Sequence, residues 1–579
     1  MYIDRVPNRN SPPAILLRES WREGGRIRKR TLTNLSHWPE EKIQALQLVL
    51  KDVKIMPQDA LSIERSLPHG HVEAVLGTMR KIGLDSLVAS KPCRERDLVL
   101  AMIAQRLIHP CSKLATTRLW HSSTLAQELG VEDADEDELY EALDWLGERQ
   151  RRIERKLARR HLQENGLTLY DVSSSSYEGH TCPLARYGYN RDGKKGLPVV
   201  VYGVITNGIG CPVAVDVYPG NTGDPSTVPD QVEKLRGNFG LERVLLVGDR
   251  GMLTATQISH LREYPQLGWI SSLRAGDIRK LVDAGNIQRS LFDAHNLAEI
   301  TSPDFPGERL IVCFNPLLAD ERKRKREELL RVTEKDLDKI VREVSRRTRT
   351  PMGKDEIGLK VGKVIGHYKM QKHFQLTIEH NLFRWERNGD SIAREEALDG
   401  IYVVRTSEPK ERLSAEDAVR SYKSLSHVER VFRTLKGLNL RVRPIFHRVP
   451  DRVRAHIFLC LLAYYVEWHM RQALAPLLFD DEELPHARQT RDPVAPAAPS
   501  SKAKRKKTTH QTSEGFPVHS FQTLFVELGT RCRNYCRMQV PSERSKSKPT
   551  SFTFTRLTDP TPLQLRVFQL LDLMPVRGN

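Results

Sequence analysis

Hydrophobic and polar positions change period several times along the chain, and the changes divide it. Over 61–165 the segments VEAVLGTMRKIGL, ERDLVLAMIAQRLI and DELYEALDWLGERQRRIERKLARRHL carry apolar residues at helical spacing. From Gly166 the period becomes that of strands. GLTLYDVSSS, PVVVYGVIT and PVAVDVYPG are short runs rich in Val, Tyr and Thr, separated by Gly/Asn/Lys turns, and they predict an antiparallel meander. A helix-like segment follows near Val228–Leu235. Then ERVLLVGDRG reads as a buried strand, because Val244–Val247 is continuously apolar. TATQISHLREY reads as helix and GWISSLR as a further strand. A meander followed by strand-helix-strand predicts an α/β domain.

The rhythm breaks over 275–400, where a highly charged helical stretch, DERKRKREELLRVTEKDLDKIVREVSRRTR, is followed by the strand-like pieces VIGHYKM and HFQLTIEH. This region reads as an insertion. LDGIYVVRTSE returns to a strand, Tyr422–Lys436 reads as one amphipathic helix, and RAHIFLCLLAYYVEWHM as a largely buried one. Ahead of all this, 1–60 is a small basic element with a hairpin turn at Gly24-Gly25 in RESWREGGRIRKRTLTNLS. Near the other end, DPVAPAAPSS and KAKRKK predict a disordered linker. The expected division is 1–60, a helical region 61–165, a first core segment 166–274, the insertion 275–400, a second core segment 401–480, the linker 481–515 and a C-terminal region 516–579.

Charge adds a partner class. Lys+Arg outnumber Asp+Glu by 91 to 73, a net charge of +18 over 579 residues, which favours a polyanionic partner. The helix ending in Arg149, Arg151, Arg152, Arg155, Lys156, Arg159 and Arg160 offers either a solvated face or phosphate contacts. The longest strongly apolar run, Ile457–Val466, is too short to span a bilayer, and MYIDRVPNRN lacks the apolar core of a signal peptide, so no membrane role and a cytoplasmic location are expected. Eight scattered cysteines do not suggest a disulfide framework, and Cys532 and Cys536 lack a second ligand pair for zinc. No Walker loop and no HExxH occur.

Three carboxylates carry the candidate chemistry. Asp171 lies inside a predicted strand among apolar neighbours, where an acid is costly unless paired or metal-bound. Asp249 closes the second buried strand, and the carboxyl ends of strands in open α/β sheets are where ligands bind. On the predicted helix, Tyr422, Glu429, Arg433 and Lys436 share one edge, while Val428, Val431, Phe432, Leu435 and Leu438 occupy the other side. Three carboxylates are what a two-metal phosphoryl-transfer site needs, with hard oxygen ligands for Mg²⁺ and nearby cations for phosphates.

These segments, in this order, resemble the DDE transposases of bacterial insertion sequences, in the group whose catalytic helix carries a Tyr-Arg-Glu-Lys signature (the IS-four superfamily). The signature is Tyr, two residues, Arg, three residues, Glu, six residues, Lys; here it falls on Tyr422, Leu425, Glu429 and Lys436, with leucine in place of the family arginine. LYDVSSSSYEG is similar to the family's first-aspartate strand and LLVGDRGM to its second. YGYNRDGKKGLPVVVYG, YPGNTGD and RVRPIFHRVPDRVRAHIFLCLLAYY resemble flanking family segments over roughly 165–470. The resemblance implies an α/β fold with a ribonuclease-H-like catalytic core, an insertion before the catalytic-glutamate helix and a mostly helical N-terminal region. It implies Asp171, Asp249 and Glu429 as catalytic metal ligands for two Mg²⁺ (or Mn²⁺) ions. It further implies double-stranded DNA as partner (terminal inverted repeats and target), a homodimer on that DNA, and DNA contacts by Tyr422, Arg433, Lys436, Arg250 and, through base stacking, Trp385. Lys423 or Arg430 would stand in for the cation missing at Leu425. The alternatives are a ribonuclease-H-like nuclease without strand transfer and an inactive DNA-binding relative.

Overall fold

A computed structural model describes residues 1–9, 11–53, 60–194, 196–264, 266–292, 295–540 and 550–575. The chain forms two units, one built from Met1–Pro68 with Arg531–Asp559, the other from His69–Thr530 with Pro560–Pro575. In the first, β1 (Tyr2–Val6), β2 (Ala14–Glu23) and β3 (Arg26–Asn34) form an antiparallel sheet in that order. The expected hairpin is present. Gly24 and Gly25 both take positive φ, 59° and 78°, the pair of left-handed residues that a two-residue hairpin turn needs. Ile15, Leu35 and Ile43 give this sheet a small core, while β3 is exposed along its whole length.

The first unit extends past the expected boundary at residue 60, because Leu61–Pro68 is a strand, β4, not the start of the helical region.

In the second unit, three strands make the predicted meander: β5 (Gly166–Ser176), β6 (Val199–Asn207) and β7 (Pro212–Pro219). The two predicted buried strands, β8 (Val244–Val247) and β9 (Leu267–Ser272), lie parallel to β5 on its other side. Three more strands complete an eight-stranded sheet: β10 (Leu297–Ile300), β11 (Arg309–Phe314) and, after the hairpin β12 (Phe374–Glu379) and β13 (Leu382–Arg387), β14 (Ile401–Thr406). Its order is β10-β11-β14-β9-β8-β5-β6-β7. So β10 and β11, which fall within the expected insertion, belong to the main sheet. The part with its own core is smaller: the helices Pro316–Arg346, Lys354–Tyr368 and Gly389–Glu396 with β12 and β13, packed around Leu337, Ile357, Val361, Phe374 and Phe383. VIGHYKM, expected as a strand, supplies the last turn of the helix Lys354–Tyr368, whose Ile357, Val361 and Ile365 are buried at four-residue spacing.

Two long helices cover the β7 side of the sheet. Glu136–His161 begins at a capping box of Asp135 and Glu138. Pro450–Leu474 is apolar nearly all round and buried, as its sequence predicts. The expected linker holds two short helices, Leu484–Thr490 and Ser501–Thr509. The second is anchored by Lys506, whose ammonium donates to the carbonyls of Ala475 (2.8 Å) and Leu478 (3.1 Å). The KAKRKK run is therefore partly buried by its own hydrogen bonds, which composition alone conceals. The 516–579 region is likewise split: β15 (Cys532–Val540) and β16 (Thr550–Leu557) complete the β16-β15-β4 sheet of the first unit, whereas Phe521–Gly529 and Pro562–Leu570 are helices of the second. Cys532 and Cys536 both sit on β15, and neither is in a disulfide. Among the described residues no helix is long and apolar enough to cross a membrane.

Candidate active site

The sheet places the two aspartates together. Leu169 on β5 pairs with Val247 on the parallel strand β8, so two residues further on Asp171 stands beside Asp249. Asp171 is mid-strand, half-buried, and accepts the Val172 amide at 2.8 Å. Asp249 follows the end of β8 and is exposed. Burial pushes the Asp171 carboxyl up to about 7, the Val172 N–H opposing, and the Asp249 charge raises it further. A carboxylate pair of this kind is short of positive charge, which is the environment a bound cation relieves.

Two groups not singled out from the sequence complete this side. Arg191 pairs with Asp224 at 2.5 Å, and both charges act on Asp171, the first lowering and the second raising its pKa. Together with Tyr189 and Gly251 they line a cavity of about 240 Å³. Their segments, YGYNRDGKK and YPGNTGD, stand out in the sequence, but nothing in their composition says that an Arg-Asp pair would close over the strand aspartate. Tyr422 caps the other side: its hydroxyl donates to Asp249 Oδ1 (3.2 Å) and accepts from Ser272 Oγ (2.8 Å), and burial raises its pKa to about 12, so it stays a neutral donor.

The helical side differs from expectation. Tyr422–Lys436 is not one helix but two, Ala415–Lys423 and Ser426–Lys436. The turn tightens between them, where the Leu425 amide bonds to Tyr422 and the His427 amide to Ser424, each three residues back. A constant 100° per residue therefore does not carry Tyr422 onto the edge of the second helix. Val428, Val431, Phe432 and Leu435 are buried as predicted, but Leu438 lies past the helix end and is 67% exposed. Glu429 and Arg433 are exposed, and among the described residues no side-chain hydrogen bond or ion pair engages either. The carboxylates of Asp171, Asp249 and Glu429 do not all lie within 4.8 Å of one another.

Lys436 does not face open space. Its ammonium donates to the Ser174 carbonyl of β5 (2.6 Å) and pairs with Asp192 (3.2 Å), whose carboxylate is 1% exposed and also meets Arg443 (2.9 Å). The lysine ties its helix to the strand that carries Asp171. Of the remaining residues, Arg250 is exposed beside Asp249. Trp385 on β13 is packed inside the insertion, its Nε1 donating to Asp338 (3.1 Å) and its ring edge-on to Phe374 (5.6 Å). Leu425 is buried at 8% exposure, and the Lys423 ammonium is taken up by the carbonyls of Val494 and Ala495 (3.2 and 3.5 Å), which leaves Arg430 as the exposed cation nearest in sequence.

Comparison with known families decides what kind of site this is. The transposase DDE domain matches residues 165–466, more than half of the chain, and the IS1634 family transposase N-terminal domain matches residues 3–59. The chain belongs to the DDE transposases of bacterial insertion sequences. It is an enzyme of DNA transposition, with DNA cleavage and strand transfer as its activity, and its family uses divalent metal ions. No curated protein matches the chain. A solved structure of the piggyBac transposase synaptic complex with hairpin DNA aligns over 77% of this chain and 88% of that one, at 11% identity and a TM-score of 0.25, too low to bear on the argument.

Proposed function

We propose that this DDE transposase works through a ribonuclease-H-like core in which Asp171, Asp249 and Glu429 hold two Mg²⁺ (or Mn²⁺) ions. The core would be the meander β5-β6-β7 with β8 and β9 added parallel to β5; Asp171 is then on its first strand and Asp249 after its fourth. The observation that carries this reading is the half-buried Asp171 beside Asp249 with its pKa pushed up to about 7. The donors are all hard carboxylate oxygens, which suits these ions. Bound there, the metal supplies the charge that activates a water or a 3′-hydroxyl and stabilises the leaving oxygen.

The chain's own groups do the rest. Tyr422 orients Asp249 by its hydrogen bond, and Arg191 balances part of the aspartate charge. Arg250, Arg433 and Arg430 are free to meet DNA phosphates, Arg430 replacing the cation absent at Leu425. Lys436 positions the Glu429 helix instead of holding phosphate.

Recognition of the insertion-sequence ends is assigned to the β2–β3 ribbon, since a two-stranded ribbon fits the major groove. Arg26, Arg28, Lys29 and Arg30 lie on its exposed strand. The basic helix Glu136–His161 is less suited. Arg151 and Arg155 bond to Asn238, Lys156 to the carbonyls of Ser86 and Leu87, and Arg160 to that of Ile82. The protein is taken to act as a homodimer on DNA. The test is Asp249→Asn: cleavage of a labelled end fragment should fall by on the order of 10³-fold, with end binding in a gel shift unchanged. Retained cleavage with Mg²⁺ would remove Asp249 from the site.

A further inference from the structure

Away from the carboxylates, the fold gathers three side chains that the transposition reaction does not use. His161 closes the helix Glu136–His161, Cys211 precedes β7 in the β6–β7 turn, and His469 lies on the helix Pro450–Leu474. They are 50 residues or more apart in sequence, yet one potential ligand atom of each lies within 4.8 Å of the others.

We propose that His161, Cys211 and His469 bind a zinc-class divalent cation at a second site, distinct in chemistry from the carboxylate site. Three observations support it independently of the catalytic reading. The ligand atoms of a tetrahedral zinc centre lie about 3.3–3.7 Å apart, from Zn–N near 2.0–2.1 Å and Zn–S near 2.3 Å, so rotamer adjustments of about an ångström close the site. Cys211 is a free thiol with no exposed surface. And the Nε2 of His469 is a buried ring nitrogen with no hydrogen-bond partner, a cost that the fold leaves uncompensated and that a metal bond removes.

The donor set selects the ion. Two imidazole nitrogens and one thiolate are borderline to soft, suited to zinc and poorly suited to Mg²⁺. Burial is the first cause lowering the pKa of both histidines, followed by the Arg160 charge at His161 and by the His161 and then the Arg160 charge at His469, which is brought to about 4, so both imidazoles are neutral near pH 7. Binding would displace one proton, from the Cys211 thiol to solvent. A water reaching the partly exposed histidines would supply the fourth position, with the Tyr465 hydroxyl, 2.9 Å from His161 Nε2, beside it as a hydrogen-bond partner. Such an ion would pin both long helices to the β6–β7 turn.

The experiment uses the full chain, stripped with chelator and titrated with Co²⁺ as a spectroscopic stand-in for zinc. The parent is expected to take up about one thiolate-bound Co²⁺, seen as a sulfur-to-metal charge-transfer band, and to gain thermal midpoint on adding zinc but not through this site on adding Mg²⁺. Cys211→Ser should lose the band and the zinc-dependent gain, while Asp249→Asn keeps both. His469→Gln, which leaves the thiol in place, should weaken Co²⁺ binding by more than about tenfold and serves if Cys211→Ser does not fold. A parent without the band, a band that survives Cys211→Ser, or parent-like affinity in His469→Gln overturns the proposal.

Discussion

The strand side and the helix side of the proposed active site are built on opposite principles. On the strand side, Asp171 is held in the sheet against its electrostatic preference, with Asp249, Arg191, Asp224 and Tyr422 arranged around it. On the helix side, Glu429 and Arg433 stand in solvent, and the partly buried charge, Lys436, serves as an anchor. The strand side is preformed at a cost to folding. The helix side costs nothing until metal and DNA arrive. Sheet ladders fix a mid-strand side chain by hydrogen bonds on both flanks, so they can hold a strained charge. A helix edge at the surface holds only what its anchor positions.

The contrast can be broken in three ways, taken from the largest expected effect. Glu429→Gln should reduce cleavage by roughly 10²–10³-fold while leaving the thermal midpoint unchanged, because no partner is lost. A large shift in midpoint would show that Glu429 is structural. Lys436→Ala should do the reverse of what a phosphate ligand does. It strips Asp192 of one of two cations and should cost about 2–3 kcal/mol of stability, read by denaturant unfolding; an unchanged midpoint with weakened DNA binding would return the lysine to the DNA.

The third and smallest effect is on pH dependence. A carboxyl whose folded pKa is raised costs stability that appears as pH rises through the unfolded value of about 3.9 and is complete above the folded value, which for Asp171 is about 7. In chelator, the parent should lose stability across that window, and Asp171→Asn should recover about 1–2 kcal/mol at neutral pH. Mg²⁺ should stabilise the parent more than the variant. Equal Mg²⁺ response in both would separate the raised pKa from metal binding.

Much of this was legible in the sequence. The strand periods around Asp171 and Asp249, the hairpin at Gly24-Gly25 and the apolar face of Val428, Val431, Phe432 and Leu435 all follow from local pattern. What pattern cannot give is pairing at a distance. The Arg191–Asp224 and Lys436–Asp192 pairs join residues 33 and 244 positions apart, and β4 finds its partner β15 nearly five hundred residues later. The break at Ser424-Leu425 was hidden for another reason: it tightens the helix without a glycine or proline to mark it. The basic helix Glu136–His161 misleads in the same way, since an arginine bonded to a carbonyl reads in sequence like one free for phosphate.

Asp249 and Asp171 are proposed to touch the metal, and exchanging the ligand tests that most directly. Asp249→Cys replaces a hard oxygen with a sulfur that Mn²⁺ accepts better than Mg²⁺. Cleavage of a labelled insertion-sequence end by this variant should be lost with Mg²⁺ and partly restored with Mn²⁺, while the parent cuts with both. Full activity of Asp249→Cys in Mg²⁺ would contradict the assignment.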